Sequence, residues 1–505
     1  MNRLKKLKLN LITSIINQFV NIISGFILPV LFLRYYGSEV NGLVASISQF
    51  LAVITLCECG VGAVVQAALY KPLAENNVKD LSIIYVASNK FFKKISYALC
   101  LYTLVLIFAF PTIINDSFSV LFTSIILIAI AISIMAQYYF ALTYKLILSS
   151  AQMSYIQMII GTITVILNVF ISVILIKLGF GIHIVKLFAS IVFLIQPFIY
   201  KKIVDTYFKI DYNIKYNLDP LKQKWSGFSQ HIATVILENT DVIVLTIFST
   251  LTNVSIYAIY HLVTNGIKIL FTNFINIFKS VLGDMYARNE MKLLDVTFSY
   301  FEWIVHNLVV IVFTMTGILI VPFVSIYTKG VNDVSYNLPI FGILMSISMG
   351  IYTIRLPYSH MIMAAGHFRQ TQFSAMIEAF LNVILSIILV SKFGLIGVAI
   401  GTIIAITYRA IYFIRYLSNN ILQRSILLFF KQFTIDCMLV IVMYYTTKFI
   451  ELESINYVGF VIMALKVGII SLVEAIIINF IFFKSYLIKT YNSVLKKKYS
   501  SDSIY

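Results

Sequence analysis

The stretch Leu167-Asn-Val-Phe-Ile-Ser172, followed by Lys177-Leu-Gly-Phe-Gly181, decides how this chain is read. It returns as Leu381-Asn-Val-Ile-Leu-Ser386, followed by Lys392-Phe-Gly-Leu-Ile-Gly397, at shifts of 214 to 216 residues. The spacing recurs elsewhere. Leu73-Ala-Glu-Asn-Asn-Val-Lys-Asp-Leu81 is answered by Tyr286-Ala-Arg-Asn-Glu-Met-Lys-Leu-Leu294 at 213 residues, and Pro111 by Pro322 at 211. A nearly constant shift over so many positions marks an internal repeat.

The repeated object is set by the apolar runs around these stretches. A helix needs about twenty apolar residues to cross a bilayer core. Fourteen such spans are expected, near 12–33, 42–68, 95–114, 117–142, 155–176, 182–200, 226–249, 253–282, 303–321, 337–364, 371–390, 395–417, 428–450 and 455–483. The repeat unit is six spans, so spans 7–12 copy spans 1–6, and spans 13 and 14 stand outside it. Six is even, so both copies insert the same way up and form two parallel lobes. The expected fold class is an all-α polytopic membrane protein of about fourteen helices. Its expected parts are an N-terminal lobe at 1–200, a basic linker at 201–225, a C-terminal lobe at 226–417, spans 13–14 at 428–483 and a basic tail at 484–505.

Composition points the same way. Of 505 residues, 60% are hydrophobic and only 12% charged, and the mean hydropathy is +0.93. Soluble proteins run about 45–50% apolar and about 25% charged, so disorder and an ordinary soluble enzyme are excluded. Barrel strands alternate apolar and polar residues, and these runs do not. The formal charge of +17 suggests nucleic acid, but it is better read as loop charge. With the N-terminus in the cytoplasm, and residues close to span ends counted with the adjoining loops, 27 Lys and Arg fall inside, five outside and six within spans, which predicts both termini inside. The first run follows Arg3, Lys5, Lys6 and Lys8, but it is too long for a signal peptide and is read as a retained helix. Cys57, Cys59, Cys100 and Cys437 lie in apolar runs without metal or disulfide spacing. No cofactor, metal site or catalytic group is expected.

Six plus six plus two spans resemble the multidrug/oligosaccharidyl-lipid/polysaccharide exporter superfamily. Within it the chain looks like the polysaccharide transport branch, the Wzx-like flippases. The resemblance rests on Arg34-Tyr-Tyr-Gly-Ser-Glu-Val-Asn-Gly42, on the Leu-Asn-Val…Gly…Gly pattern of spans 5–6 and 11–12, and on Ala-Glu-Asn-Asn after span 2. Lipid II flippases of that superfamily carry arginines in the middle of their first helices. Span 1 has none, and Arg34 sits at its end, which argues against a lipid II substrate.

Polar residues inside spans need water or partners, so polar stripes locate a cavity or a helix contact. Span 1 carries Asn10, Ser14, Asn17, Asn21 and Ser24 on one face. Span 7 carries Gln230, Thr234, Glu238 and Asp241, and span 8 carries Tyr257, His261, Asn265, Lys268, Thr272, Asn276 and Lys279. Span 2 adds Ser48, Thr55, Glu58 and Gln66. Spans 1 and 2 correspond to 7 and 8 in the repeat. The expected cavity residues are therefore Lys268, His261, Glu238, Asp241, Glu58, Asn17, Asn21, Asn265 and Asn276. Lys268, near mid-span, is the sharpest of them, with Glu58 and Glu238 at similar depth. A structural ion network of Arg355, Glu378 and Arg409 is expected from their equal depth and opposite sign. Asp436 and Glu474 also lie at similar depth, and a shared proton is one reading of that pair. The other histidines, His306 among them, read as structural.

The resemblance implies a flippase that moves an undecaprenyl-diphosphate-linked oligosaccharide repeat unit across a bacterial cell membrane for a surface polysaccharide such as capsule or exopolysaccharide. It would work by alternating access of two lobes. Its partners would be that substrate, membrane lipid, a coupling proton or sodium ion, and the polymerase and glycosyltransferases of the same route; nucleic acid is not among them. Two rivals are a multidrug or cation antiporter of the same superfamily, which Lys268 disfavours, and a membrane polysaccharide polymerase, which would need a long outer catalytic loop.

Overall fold

The computed structural model describes residues 3–58, 60–115, 117–215 and 228–488. Cys59, part of the 201–225 linker and most of the 484–505 tail lie outside the described residues. All described elements are helical. In order they are α1 (Arg3–Ala52), α2 (Val61–Glu75), α3 (Val78–Ile113), α4 (Val120–Ala136), α5 (Leu142–Ser150), α6 (Ser154–Lys177) and α7 (Ile182–Tyr207). There follow α8 (Phe228–Phe248), α9 (Leu251–Ala287), α10 (Met291–Tyr327), α11 (Pro339–Ala364), α12 (Phe368–Asn420), α13 (Leu427–Thr447) and α14 (Tyr457–Phe482).

Among the described residues, twelve helical stretches are long and apolar enough to cross a membrane. Two of them, Lys5–Glu58 and Phe368–Asn420, run to 54 and 53 residues. Each bends sharply at one glycine, Gly37 (φ 83°) and Gly394 (φ 54°), and so supplies two spans. With those divisions there are fourteen spans. Helices are the expected choice, because every backbone N–H and C=O in hydrocarbon must be satisfied within its own segment.

The repeat is legible in the backbone. Left-handed residues close helices at Asn76 and Asn289, at Asn115 and Gly330, and at Gln152 and Gly366; Gly179 and Gly394 form a fourth pair. The four pairs are separated by 213 to 215 residues, the shift of the sequence repeat. One feature breaks the symmetry. Span 2 was expected to be one helix over 42–68, but Val53–Glu58 tightens to a 3₁₀ turn and Gly60 is left-handed (φ 72°) before α2 resumes. The β-branched run Val53-Ile54-Thr55 and the glycines at 60 and 62 favour that break. Its counterpart, α9, runs unbroken for 37 residues.

Packing divides the chain into two compact units that cut α9 in two, so they do not coincide with the lobes of the sequence repeat. The first holds the described residues up to Leu262 together with Gly330–Val334 and Val383–Val398. The second holds Val263–Lys329, Ser335–Asn382 and the described residues from Ala399 on. The first unit centres on Leu43, Ile47, Leu51, Val65, Phe92, Phe110, Ile126 and Ile147. The second centres on Leu294, Phe298, Phe301, Val305, Tyr358 and Leu417, with α13 and α14 attached to α10 through Leu439, Met443 and Ile478.

The segment Arg34–Gly42 is the joint of the first unit. Beyond the bend at Gly37, Asp333 takes the helix-capping place, accepting from the Ser38 backbone N–H at 2.6 Å and from its hydroxyl at 2.8 Å. Asn41 donates to Ser255 at 2.8 Å, and a Cβ on Gly42 would overlap the Leu251 carbonyl, so only glycine lets α1 and α9 come this close.

Candidate functional site

Within the first unit, α1, α6, α7 and the start of α9 line an open cavity of about 410 Å³. Asn21, Ser24, Asn41, Asn168 and Lys186 supply its polar lining, and Phe32, Phe193 and Leu262 supply apolar walls. Asn21 and Ser24 share one face of α1, one turn apart. Asn168 on α6 donates to the Ala189 carbonyl of α7 at 3.3 Å, which holds the wall together. Lys186, on the same helix as Ala189, is half-buried and has its ammonium 4.6 Å from the Phe32 ring centre. Among the described residues no carboxylate pairs with it. An ammonium at this depth without an acid is costly unless water or an anion meets it.

Sequence reasoning passed over Lys186, although the signal was present: a single cation inside an otherwise apolar run. The structure also divides the span 1 stripe. Asn10 accepts from Tyr155 N–H at 2.7 Å, and Asn17 donates to the Met158 carbonyl at 3.2 Å and to Thr162 at 3.0 Å. Those two join α1 to α6 and its lead-in. Asn21 donates back to Asn17 and reaches the cavity.

The acids of the first unit occupy separate places. Asp241 on α8 is buried and accepts from Tyr257 of α9 at 2.8 Å, and the His261 ring stacks on Tyr257 at 5.5 Å. Glu238, three residues before Asp241, is exposed. Glu58 ends the 3₁₀ turn of span 2 and accepts from Tyr138, which sits in a π-helical bulge between α4 and α5, at 3.3 Å. Beside it the His231 ring donates to the Thr55 carbonyl at 2.8 Å.

In the second unit, Lys268 on α9 places its ammonium 5.0 Å from the Tyr352 ring centre. The Arg355 guanidinium lies 4.5 Å from the same ring. Arg355 and Arg409 both donate to Glu378, one to each carboxylate oxygen, and all three side chains are at most 5% exposed. So Lys268, expected in the cavity, and the expected structural network Arg355–Glu378–Arg409 meet around Tyr352. Three cations and one carboxylate gather there. Asn265 is half-buried on α9 and Asn276 is exposed.

A second buried polar chain was not foreseen. His306 bonds through Nδ1 to Asp436 at 2.6 Å and lies 3.2 Å from the Tyr358 hydroxyl. Tyr358 donates to Glu302, which Arg424 grips with 2.7 Å bonds to both oxygens. Gln432 donates to the other Asp436 oxygen at 2.9 Å. Asp436 is thus taken up by His306 and Gln432, whereas Glu474 leaves one oxygen buried without a hydrogen-bond partner. The Lys466 ammonium, on α14, reaches Glu453 in the α13–α14 connection at 2.6 Å; that bond holds the Glu453 carboxyl below its ordinary range.

No protein family and no curated protein matches the chain in sequence. Solved structures share its fold. The lipid II flippase MurJ, in an inward closed conformation, matches with a TM-score of 0.70 at 18% identity, over 94% of this chain and 100% of that one. A multidrug resistance MATE family transporter of the MOP superfamily, inward-facing, matches with a TM-score of 0.59 at 14% identity, over 83% and 99%. The eukaryotic MATE transporter AtDTX14 matches with a TM-score of 0.52 at 13% identity, over 81% and 94%. At these identities the likeness is one of fold.

Proposed function

We propose that this chain is a flippase for lipid-linked oligosaccharides. It would carry polyprenyl-diphosphate-linked repeat units, with undecaprenyl as the lipid, from the inner to the outer leaflet of a bacterial cell membrane for surface polysaccharide synthesis. The observation that carries the reading is the cavity of the first unit, lined in part by amides and an ammonium where spans would otherwise be apolar. Amides bind sugar hydroxyls, and a polyprenyl tail needs no cavity because it stays in lipid. The fold shared along the whole length of MurJ supports the reading, since that protein is a lipid II flippase.

On this reading Lys268, with Asn265 and Asn276 on the same helix, meets the diphosphate, and the two lobes rock between inward-open and outward-open states. No bond is made, so the protein is not an enzyme. A diphosphate carries about two negative charges, and moving each through 100 mV is worth about 2.3 kcal/mol, so an inside-negative potential drives the anion outward. The MATE-like alternative, a cation antiporter, is disfavoured by Lys186 and Lys268, which would repel a cationic cargo. A polymerase is disfavoured by the short connection Thr328–Leu338 between α10 and α11.

Deleting the gene tests the proposal. Lipid-linked repeat units should accumulate in the inner leaflet and disappear when the gene is restored. Single, unpolymerised units on the outer leaflet would point to a polymerase and overturn it.

A further inference from the structure

We propose that the cavity around Lys186 is a subsite for an acidic sugar, and that the repeat unit this protein carries therefore contains a hexuronate-like residue. The inference rests on the flippase reading and sharpens it. Three observations carry it.

The first is charge. Lys186 is the cavity's one cation, and no carboxylate pairs with it among the described residues. A lone ammonium is matched by a group of charge −1. A diphosphate, with about two charges, calls for more than one cation. The carboxylate of a sugar acid fits the single charge.

The second is the rest of the lining. Asn21, Asn41 and Asn168 with Ser24 offer donors and acceptors to hydroxyls, and the half-buried Phe193 offers an apolar wall for the C–H side of a pyranose ring. A site for a simple inorganic anion needs neither. The third is size: about 410 Å³ lies within the range of roughly 300–1,000 Å³ usual for small-molecule sites.

The test uses the full chain, purified in nanodiscs, and measures binding by saturation-transfer NMR with three probes: methyl glucuronide, methyl glucoside and inorganic pyrophosphate. The glucuronide should bind at least about tenfold tighter than the glucoside, the worth of one charge-assisted hydrogen bond. Lys186→Gln should erase that difference, and Lys186→Arg should keep most of it. Lys186→Gln removes an uncompensated charge and should fold; thermal unfolding checks this. Asn168→Leu, an independent variant, should weaken glucuronide and glucoside equally. Equal binding of the two sugars by the unmodified protein, or no detectable binding of either, would overturn the proposal. So would pyrophosphate outcompeting glucuronide in a Lys186-dependent way, which would give the site to the diphosphate. Because binding is read on purified protein, its failure is separable from a failure of the leaflet experiment.

Discussion

Replacing Glu378 by glutamine is expected to destabilise the second unit by about 3–5 kcal/mol, the usual result of removing one member of a buried ion network. Glu378 is fully buried, and it separates two guanidiniums that are 5% exposed. Without its charge, Arg355 and Arg409 face each other across a neutral amide in a place where water cannot screen them. The variant should accumulate poorly and unfold at a much lower temperature in detergent. The triple change Arg355→Met, Glu378→Leu, Arg409→Met removes all the charge at once and should restore most of that loss, because a whole buried network can often be replaced by apolar residues at little cost. A single Glu378→Gln protein as stable as the parent would show that the network is not structural.

Replacing Lys268 by alanine is expected to abolish export while the protein still inserts and accumulates. Its ammonium shares the Tyr352 ring with Arg355, so Arg355 keeps that contact and the helix packing when Lys268 is shortened. What is lost is the cation on its four-carbon stem that is expected to meet the phosphate. Lys268→Arg should retain part of the export, because the charge stays but the stem and its hydration change. Surface polymer measured in a deletion strain carrying each variant, with immunoblots for protein level, gives the answer. Full export by the alanine protein would remove Lys268 from the mechanism.

The fold was legible because its determinants are local and repeated. Span length, loop charge and the turn motifs all lie along the chain, and the left-handed pairs Asn76/Asn289 and Gln152/Gly366 follow the sequence shift. The segment Arg34–Gly42, noticed first as a loose resemblance, has a physical content in Gly37, Ser38, Asn41 and Gly42. Glu378 could be matched with Arg355 and Arg409 because depth can be counted along a helix. The break in span 2 was missed because a β-branched run before a glycine weakens a helix without forbidding it. Rotation about the helix axis was the other gap. Counting placed Asn17 on a polar stripe but could not show that it faces α6, nor that Lys186 faces a cavity. His306 sat among histidines near span ends, and only the packing of α10, α11 and α13 brings Asp436, Tyr358 and Glu302 into one line with it.

The most direct measurement is translocation itself. The purified protein would be reconstituted in liposomes holding a fluorescent polyprenyl-diphosphate oligosaccharide with an acidic sugar, and an impermeant quencher would then be added. If the protein is a flippase for such lipids, quenching should run past the outer-leaflet half toward completion at a rate set by protein density, and Lys268→Ala should return it to the protein-free level. Quenching that stops at the outer-leaflet half with folded protein present would contradict the account.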